Sequence, residues 1–409
     1  MSPVKVAVIG SGGREACLAL VLSRTADVVV TPGNPGIPGS VSTPPEELDA
    51  DLYVVGPEQP LVDGLADRLR AAGKLVFGPG ADGARVEGSK AFMKDLVQAA
   101  GVPTARYAAF TEVEPALAFL RTLPPPWVVK TDGLAAGKGV LVTPDLAAAE
   151  DDVREKLSGA SFGVAGQTVV IEEGMVGPEV SLFALCDGTR AVALAPAQDF
   201  KRVGDGDAGP NTGGMGAYSP VPGLAEEFAD DVIARFVQPT LDELRRRGID
   251  YRGVLYTGLM LTAEGPKLVE FNIRFGDPDS QVVLLRLTSD LAVHLAEAAA
   301  GAIRTEPTFA DTAAVLVVAA AEGYPGSVRS GDVIHGIKTA RAQAGATVLC
   351  AGVAVDDDGR LVTAGGRVLD VIGEGPDVAT ARTRAYAALS RITWSGLHHR
   401  TDIAEGVSS

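Results

Sequence analysis

Glu270, Asn272 and Arg274 alternate along a short run of strand-forming sequence, which would set a carboxylate, an amide oxygen and a guanidinium in a row on one face. Such a face can hold Mg2+, because magnesium takes one or two carboxylates and completes its sphere with phosphate oxygens. Residues 267–270 read as the strand entering this site, and Phe275-Gly-Asp277-Pro-Asp279 as the turn leaving it. A surface strand with its polar face in water shows the same alternation, so three further segments must decide.

Gly10-Ser-Gly12-Gly13 opens a helix-like stretch, where backbone N–H groups and the positive end of the helix dipole can receive a phosphate. A tight turn without a ligand fits as well. A dinucleotide fingerprint fits less: it needs glycine where Glu15 stands and an acidic residue where the second strand ends in Thr31-Pro32, so a sugar phosphate is favoured over NAD. The run from Lys130 through Asp132-Gly133 to Gly137-Lys138-Gly139 looks like a P-loop, but it is one residue short and continues into a strand instead of a helix. A hairpin tip bearing Lys138, flanked by Lys130, can instead close over a triphosphate and exclude water; an ordinary hairpin is the alternative. Residues 198–220 run from Gln198-Asp199 through Asn211-Thr212-Gly213-Gly214 to Ser219-Pro220, and they fit neither a helix nor a regular strand. They read as an ordered loop lining a site.

Composition narrows the function classes. A chain of 409 residues with 46% hydrophobic content can bury more than one core and is expected to form two or three domains. A net charge of -16 argues against sequence-independent nucleic-acid binding, which needs a basic face. The three cysteines, Cys17, Cys186 and Cys350, suggest neither a disulfide framework nor a zinc site, and reduced cytoplasm is the expected compartment. No signal peptide is recognised, and no apolar run has the length of a membrane span. None of the four histidines sits in a polar, glycine-rich motif, so an imidazole base is not expected. His294 reads as packing and His398-His399 as a solvated pair.

The elements that must position these groups follow from the punctuation. Apolar runs at residues 4–9, 27–31, 51–55 and 75–77 each end in a glycine or proline turn, with helices expected to Arg24 and over 61–72. That pattern describes a parallel sheet with a crevice along its carboxyl edge. Residues 89–100 read as a helix with Lys90 and Lys94 one turn apart, and residues 127–130, 140–143 and 168–173 as strands of a mixed α and β domain. Strands at 314–319, 347–355 and 367–372, then a helix over 378–392, suggest a small closing domain.

Taken together, Gly10-Ser-Gly-Gly-Arg-Glu15, Val55-Gly-Pro-Glu58, Glu87-Gly-Ser-Lys90, the Asp132 to Gly139 run, the 201–220 segment, Glu270-Phe-Asn-Ile-Arg-Phe-Gly-Asp-Pro278 and Gly365-Gly-Arg367 carry a resemblance over nearly the whole chain. It resembles the glycinamide ribonucleotide synthetases of the ATP-grasp superfamily, the phosphoribosylamine-glycine ligases of purine biosynthesis. The resemblance implies an α/β protein of ATP-grasp fold. A shortened, parallel-sheet preATP-grasp N-domain would span 1–88, an ATP-grasp domain with a lid at 106–177 would span 89–308, and a small α+β C-terminal domain would span 309–409.

The resemblance also implies site residues. ATP would be held by Lys90, Lys130, Gly137, Lys138, Glu172, Glu173 and Glu179, with Mg2+ or Mn2+ on Glu270 and Asn272. Arg274, Lys138 and Asp199 would be catalytic. Gly12, Gly13, Arg14, Asn34, Pro57, Glu58, Asn211, Thr212, Gly213, Gly214 and Asp277 would contact the substrates, glycine and 5-phosphoribosylamine. The implied reaction passes through glycyl phosphate to glycinamide ribonucleotide, ADP and phosphate, in a cytoplasmic monomer with no nucleic-acid or membrane partner. Two departures stand out: Ala16 replaces the family's usual histidine, and residues 40–50 are shorter than the segment that normally adds a strand and a helix. They put one wall of the phosphoribosylamine pocket in question. Other readings are an ATP-grasp ligase for a different carboxylate or amine, an NAD oxidoreductase, and a nucleotide-binding regulator without turnover.

Overall fold

The computed structural model describes residues 3–134, 139–159 and 167–407, so Gly137 and Lys138 lie outside the described residues. The N-terminal sheet is parallel throughout, in the order Asp27–Pro32, Lys5–Gly10, Leu52–Val55, Val76–Phe77. Its inner strands are buried along nearly their whole length, as parallel strands covered on both faces must be. The turns after Gly10, Pro32, Val55 and Phe77 therefore share one edge, as the sequence leads one to expect. The helix expected over 61–72 is broken in two, Glu58–Val62 and Leu65–Ala71, because Gly64 takes a left-handed conformation at φ +75°. A further helix, Ala81–Gly88, precedes Lys90–Ala99; Ser89 separates them in extended backbone, and its hydroxyl accepts the Phe92 amide as a cap. Residues 40–50 add only a bridge from Ser40 to Val30 and a short turn at Pro45–Glu47, so the sheet stays at four strands.

Two antiparallel sheets follow. One runs Tyr107–Phe110, Val169–Glu173, Trp127–Thr131, Val140–Thr143, and with helices Val113–Leu120 and Leu146–Leu157 it encloses its own apolar cluster. The other runs Ala191–Ala193, Glu179–Asp187, Arg252–Thr262, Gly265–Asn272.

A fourth large sheet runs Gln198–Asp199, Gly216–Ser219, Ala313–Ala320, Arg367–Gly375, Ala346–Cys350, with helix Val378–Leu389 on it. Residues 198–220 were expected to avoid regular strands. They carry instead two strands of this sheet and a separate ladder of Arg202–Gly204 with Ala208–Asn211, because backbone pairing satisfies a glycine-rich segment that has few side chains to bury. The strand expected over 347–355 ends at Cys350 and resumes as Val353–Val355. His294 is buried between Ser289 and Thr305 hydroxyls, and the pair expected to be solvated is half-buried instead, with His398 Nε2 donating to the Val203 carbonyl and His399 Nδ1 to the Arg400 carbonyl. No helix among the described residues is long and apolar enough to cross a membrane.

Helix Val378–Leu389 lies almost in contact with the strand beneath it. A Cβ on Gly373 would stand 2.1 Å from the Ala381 carbonyl oxygen and 2.4 Å from the Ala385 nitrogen, backbone atoms that no rotamer can move. Gly373→Ala is therefore expected to destabilise the C-terminal sheet by about 1–3 kcal/mol. Thermal unfolding checks this, and an unaltered transition would refute the close approach.

Candidate active site

Glu270 and Asn272 end the Gly265–Asn272 strand, where the register matters. Gly258 pairs with Glu270 but Leu259 pairs with Leu268, which leaves Val269 as a bulge. The extra residue resets the alternation, so Leu268 and Phe271 both pack into the core while Glu270 and Asn272 line a cavity of about 680 Å3. Arg274 does not continue the strand face, contrary to the sequence expectation. The ladder stops at Asn272 because the next amide, Ile273 N–H, donates to Glu87 Oε2 at 2.9 Å, and the Ile273 side chain is buried. Arg274 reaches the same cavity from the bend beyond.

Neither the Glu270 carboxylate nor the Asn272 amide has a hydrogen-bond partner among the described residues. Burial raises the Glu270 pKa, but Lys201, Lys130, Lys90 and Arg274 outweigh it and hold the carboxyl below the usual glutamate value. Each of those cations is anchored in turn. Glu172 is buried between two lysines, with Lys94 Nζ 2.9 Å from Oε2 and Lys130 Nζ 2.8 Å from Oε1. Lys94 also donates to Thr104 Oγ1 at 2.8 Å; burial pulls its pKa down to about 8 against the attraction of Glu172. Lys90 donates to the Gly133 carbonyl at 2.8 Å, and burial lowers its pKa too. Lys201 pairs with Glu179. Burial favours its neutral form, but Asp199 and Glu179 outweigh that and hold it charged well above the ordinary range. Arg274 lies 3.1 Å from Glu87 and 3.3 Å from Glu58, tying the cation cluster to two N-terminal helices.

The opposite wall comes from three parts of the chain. Arg14 stacks its charge on Glu15 at 2.6 Å and donates to the Phe275 carbonyl at 3.0 Å. Asp277 accepts Arg367 Nη2 at 2.8 Å and Gln281 Nε2 at 2.7 Å; burial opposes its ionisation, but Arg367 and Arg14 keep its pKa low. Arg367 also donates to the Gly213 carbonyl, and Tyr324 OH accepts the Gly213 amide at 3.0 Å. Behind this wall Gln281 donates to Asp370 as well, a buried carboxyl raised to about 7 by burial and by Asp277.

The cavity thus gathers Lys90, Lys130, Glu172, Glu173, Glu179, Asp199, Glu270, Asn272, Arg274, Arg14, Glu58, Asn211, Thr212, Gly213 and Asp277. Gly12, Gly13, Asn34, Pro57 and Gly214 are not among its lining residues. Gly12 N–H donates to Glu15 Oε2 at 2.6 Å, and a Cβ on Gly13 would stand 1.9 Å from Asp370 Oδ2. Asn34 directs its amide to the Ser11, Cys350 and Ala351 carbonyls at 2.8–3.0 Å, joining the N-terminal sheet to the C-terminal one. Pro57 caps the Glu58–Val62 helix, and Gly214 packs on Pro278. Lys201, Tyr256, Asp279, Tyr324 and Arg367 line the cavity without having been singled out as site residues. Arg367 and Lys201 were within reach, since both lie in the quoted motifs. Nothing local marks Tyr324.

Glu270 and Asn272 offer two hard oxygen donors with no competing partner, which fits a divalent ion that takes its other ligands from phosphate and water. Among the described residues no group of three or more acidic, imidazole or thiol side chains forms a closed protein cage for a metal.

Glu172→Gln leaves Lys94 fully buried without a counter-charge, which is expected to cost about 3–5 kcal/mol. Lys94 would then titrate below about 8, since the attraction of Glu172 is gone and the repulsion of Lys130 remains. Wherever the unfolded chain holds a proton that the folded one has lost, stability rises with pH. The deficit of the variant should therefore shrink as pH rises toward 8. Thermal unfolding across pH measures this, and a deficit independent of pH would contradict it.

Family models for the N, ATP-grasp (A) and C domains of phosphoribosylglycinamide synthetase match residues 4–87, 88–280 and 314–406. A phosphoribosylamine–glycine ligase of Streptomyces coelicolor is 49% identical, over 98% of this chain and 99% of that protein. The crystal structure of a phosphoribosylamine–glycine ligase from Thermotoga maritima superposes with a TM-score of 0.86 at 33% identity, covering 98% of this chain and 100% of that one. A biotin carboxylase domain of a Hydrogenobacter thermophilus 2-oxoglutarate carboxylase shares the fold alone, with a TM-score of 0.71 at 16% identity over 98% and 92% of the two chains. With its α/β architecture, its N-terminal parallel sheet and its nucleotide-sized cavity between two antiparallel sheets, the chain belongs to the phosphoribosylglycinamide synthetase family of ATP-grasp ligases.

Proposed function

We propose that this enzyme joins glycine to 5-phosphoribosylamine through glycyl phosphate, giving glycinamide ribonucleotide, ADP and phosphate in purine biosynthesis. The observation that carries the reading is the Glu270 carboxylate, without a hydrogen bond among the described residues and surrounded by Lys90, Lys130, Lys201 and Arg274 in one cavity. Relatives matching end to end that are named phosphoribosylamine–glycine ligases support the choice of substrates.

The carboxylate of glycine is already anionic at neutral pH and can attack a γ-phosphate without a base, which suits a cavity with no histidine among its lining residues. Glu270 and Asn272 would hold Mg2+, with Mn2+ as a substitute, and the ion would neutralise phosphate charge when bound. The anchored lysines and Arg274 add fixed positive charge that needs no reorganisation during transfer. Glycyl phosphate must meet the sugar amine before water does, and Asn211, Thr212, Gly213, Asp277 and Arg367 form the wall on which the amine substrate would be placed. A cytoplasmic setting agrees with three free, buried cysteines.

ADP release measured with ATP, Mg2+ and glycine, with and without phosphoribosylamine, tests the reaction. Release that needs glycine and is coupled to amide formation is the expected result; no release with any amino acid would leave a silent nucleotide binder. Glu270→Ala is expected to lower turnover by about 10²-fold or more, the usual cost of removing one preorganised electrostatic group. Wild-type turnover of that variant at saturating Mg2+ would refute its role.

A further inference from the structure

One carboxyl in the cavity is used by nothing described so far. Asp279 opens the helix Asp279–Leu284 but caps none of its amides, is 4% exposed, and leaves Oδ1 with no partner among the described residues. It lines the same cavity as Glu270 and Asn272. The chain also keeps one side of it bare: a Cβ on Gly276 would stand 2.8 Å from Asp279 Oδ2 and 3.2 Å from the Phe183 and Tyr256 rings. A buried acceptor without a donor costs stability, so its persistence asks for a ligand that supplies one.

We propose that Asp279, backed by Asp199, is the carboxylate that receives the ammonium group of the amino-acid substrate. The inference rests on the ligase reading above and adds how the amino acid is recognised. Burial and the facing charge of Asp199 hold the Asp279 carboxyl well above its ordinary range, which is the signature of a position short of positive charge; Lys201 and Arg274 offset this only in part. A divalent ion is already provided for by Glu270 and Asn272, and among the described residues no group of three or more acidic, imidazole or thiol side chains offers a second, protein-built metal cage. An ammonium needs less: one or two acceptors and exclusion of water. A zwitterion fits the cavity's polarity, with its own carboxylate toward the cations around Glu270 and its ammonium toward Asp279.

Glycolate tests this, since it keeps the carboxylate of glycine and replaces the ammonium with a neutral hydroxyl. With ATP, Mg2+ and phosphoribosylamine present, the wild-type enzyme should favour glycine over glycolate in kcat/KM for ADP release by about 10²-fold or more, the scale of losing one partner of a buried charge pair. Asp279→Asn should raise the KM for glycine, leave the KM for ATP in place, and bring the preference to within about tenfold. A structural role alone would not move that ratio. Should the variant fail to fold, the wild-type comparison still decides: equal use of glycolate overturns the assignment. So does an Asp279→Asn enzyme that keeps the full preference. A wild type that releases no ADP with glycine overturns the ligase reading and this assignment with it, whereas an active but indifferent wild type overturns the assignment alone.

Discussion

Setting one carboxylate, Glu270, among four cations without a hydrogen bond from any described residue is the constraint that the rest of the site serves. Positive charge gathered in a cleft repels itself and resists losing water, so Lys130, Lys201 and Arg274 each take a carboxylate counter-charge, and Lys90 takes the Gly133 carbonyl. Those counter-charges come from separate stretches of chain. Glu172 stands on the Val169–Glu173 strand, Glu179 begins the neighbouring sheet's central strand, and Glu58 and Glu87 lie on helices of the N-terminal part. The ion pairs therefore act as a positioning system. Packing brings the elements near one another, but Lys94 to Glu172 and Arg274 to Glu87 fix where helix and strand must stop.

The far wall is built on the same logic with different donors. Arg367 bridges the Gly213 carbonyl, the Asp277 carbonyl and the Asp277 carboxylate, so one C-terminal guanidinium orders a loop and a turn from two other regions. Asn34 closes the remaining side by tying the N-terminal sheet to the end of the Ala346–Cys350 strand. The shortened segment at residues 40–50 has little part in this. Ala16 and Ile37 border a separate apolar cavity of about 450 Å3 against Leu349, and Glu270 and Asn272 do not line it.

What sequence could and could not disclose divides along one line. Periodicity and punctuation are local, and they marked the parallel sheet, the strand at residues 127–130 and the pairing of Glu270 with Asn272. Features decided by a distant partner stayed hidden. The bulge at Val269 exists only against the register of Gly258 and Leu259. Arg274 leaves the strand because Glu87, far away in sequence, claims the Ile273 amide. Lys94 looked like a companion of Lys90 one turn on, yet it is fully buried on Glu172, which no helical periodicity distinguishes from a solvated lysine. The glycine-rich run at 198–220 read as irregular because its strands take their stability from neighbours such as Ala313–Ala320. Asn34 and Gly13 were quoted for the right turns, but their side-chain amide and missing Cβ serve contacts between sheets.

A cavity that holds both a cluster of cations and two acids short of positive charge treats the two charges of a zwitterion differently. Lys90, Lys130, Lys201 and Arg274 surround Glu270 and favour an anion, whereas Asp199 and Asp279 repel one another and favour a cation, with Lys201 acting on both groups. In a space of low effective dielectric, such a charge distribution orients a small zwitterion more strongly than shape could, because the smallest amino acid offers almost no apolar surface to grip. Orientation in turn sets the chemistry: the end of the molecule that faces the cations is the one that meets phosphate. The absence of histidine from the lining residues agrees with this, since a nucleophile delivered as an anion has no proton to lose.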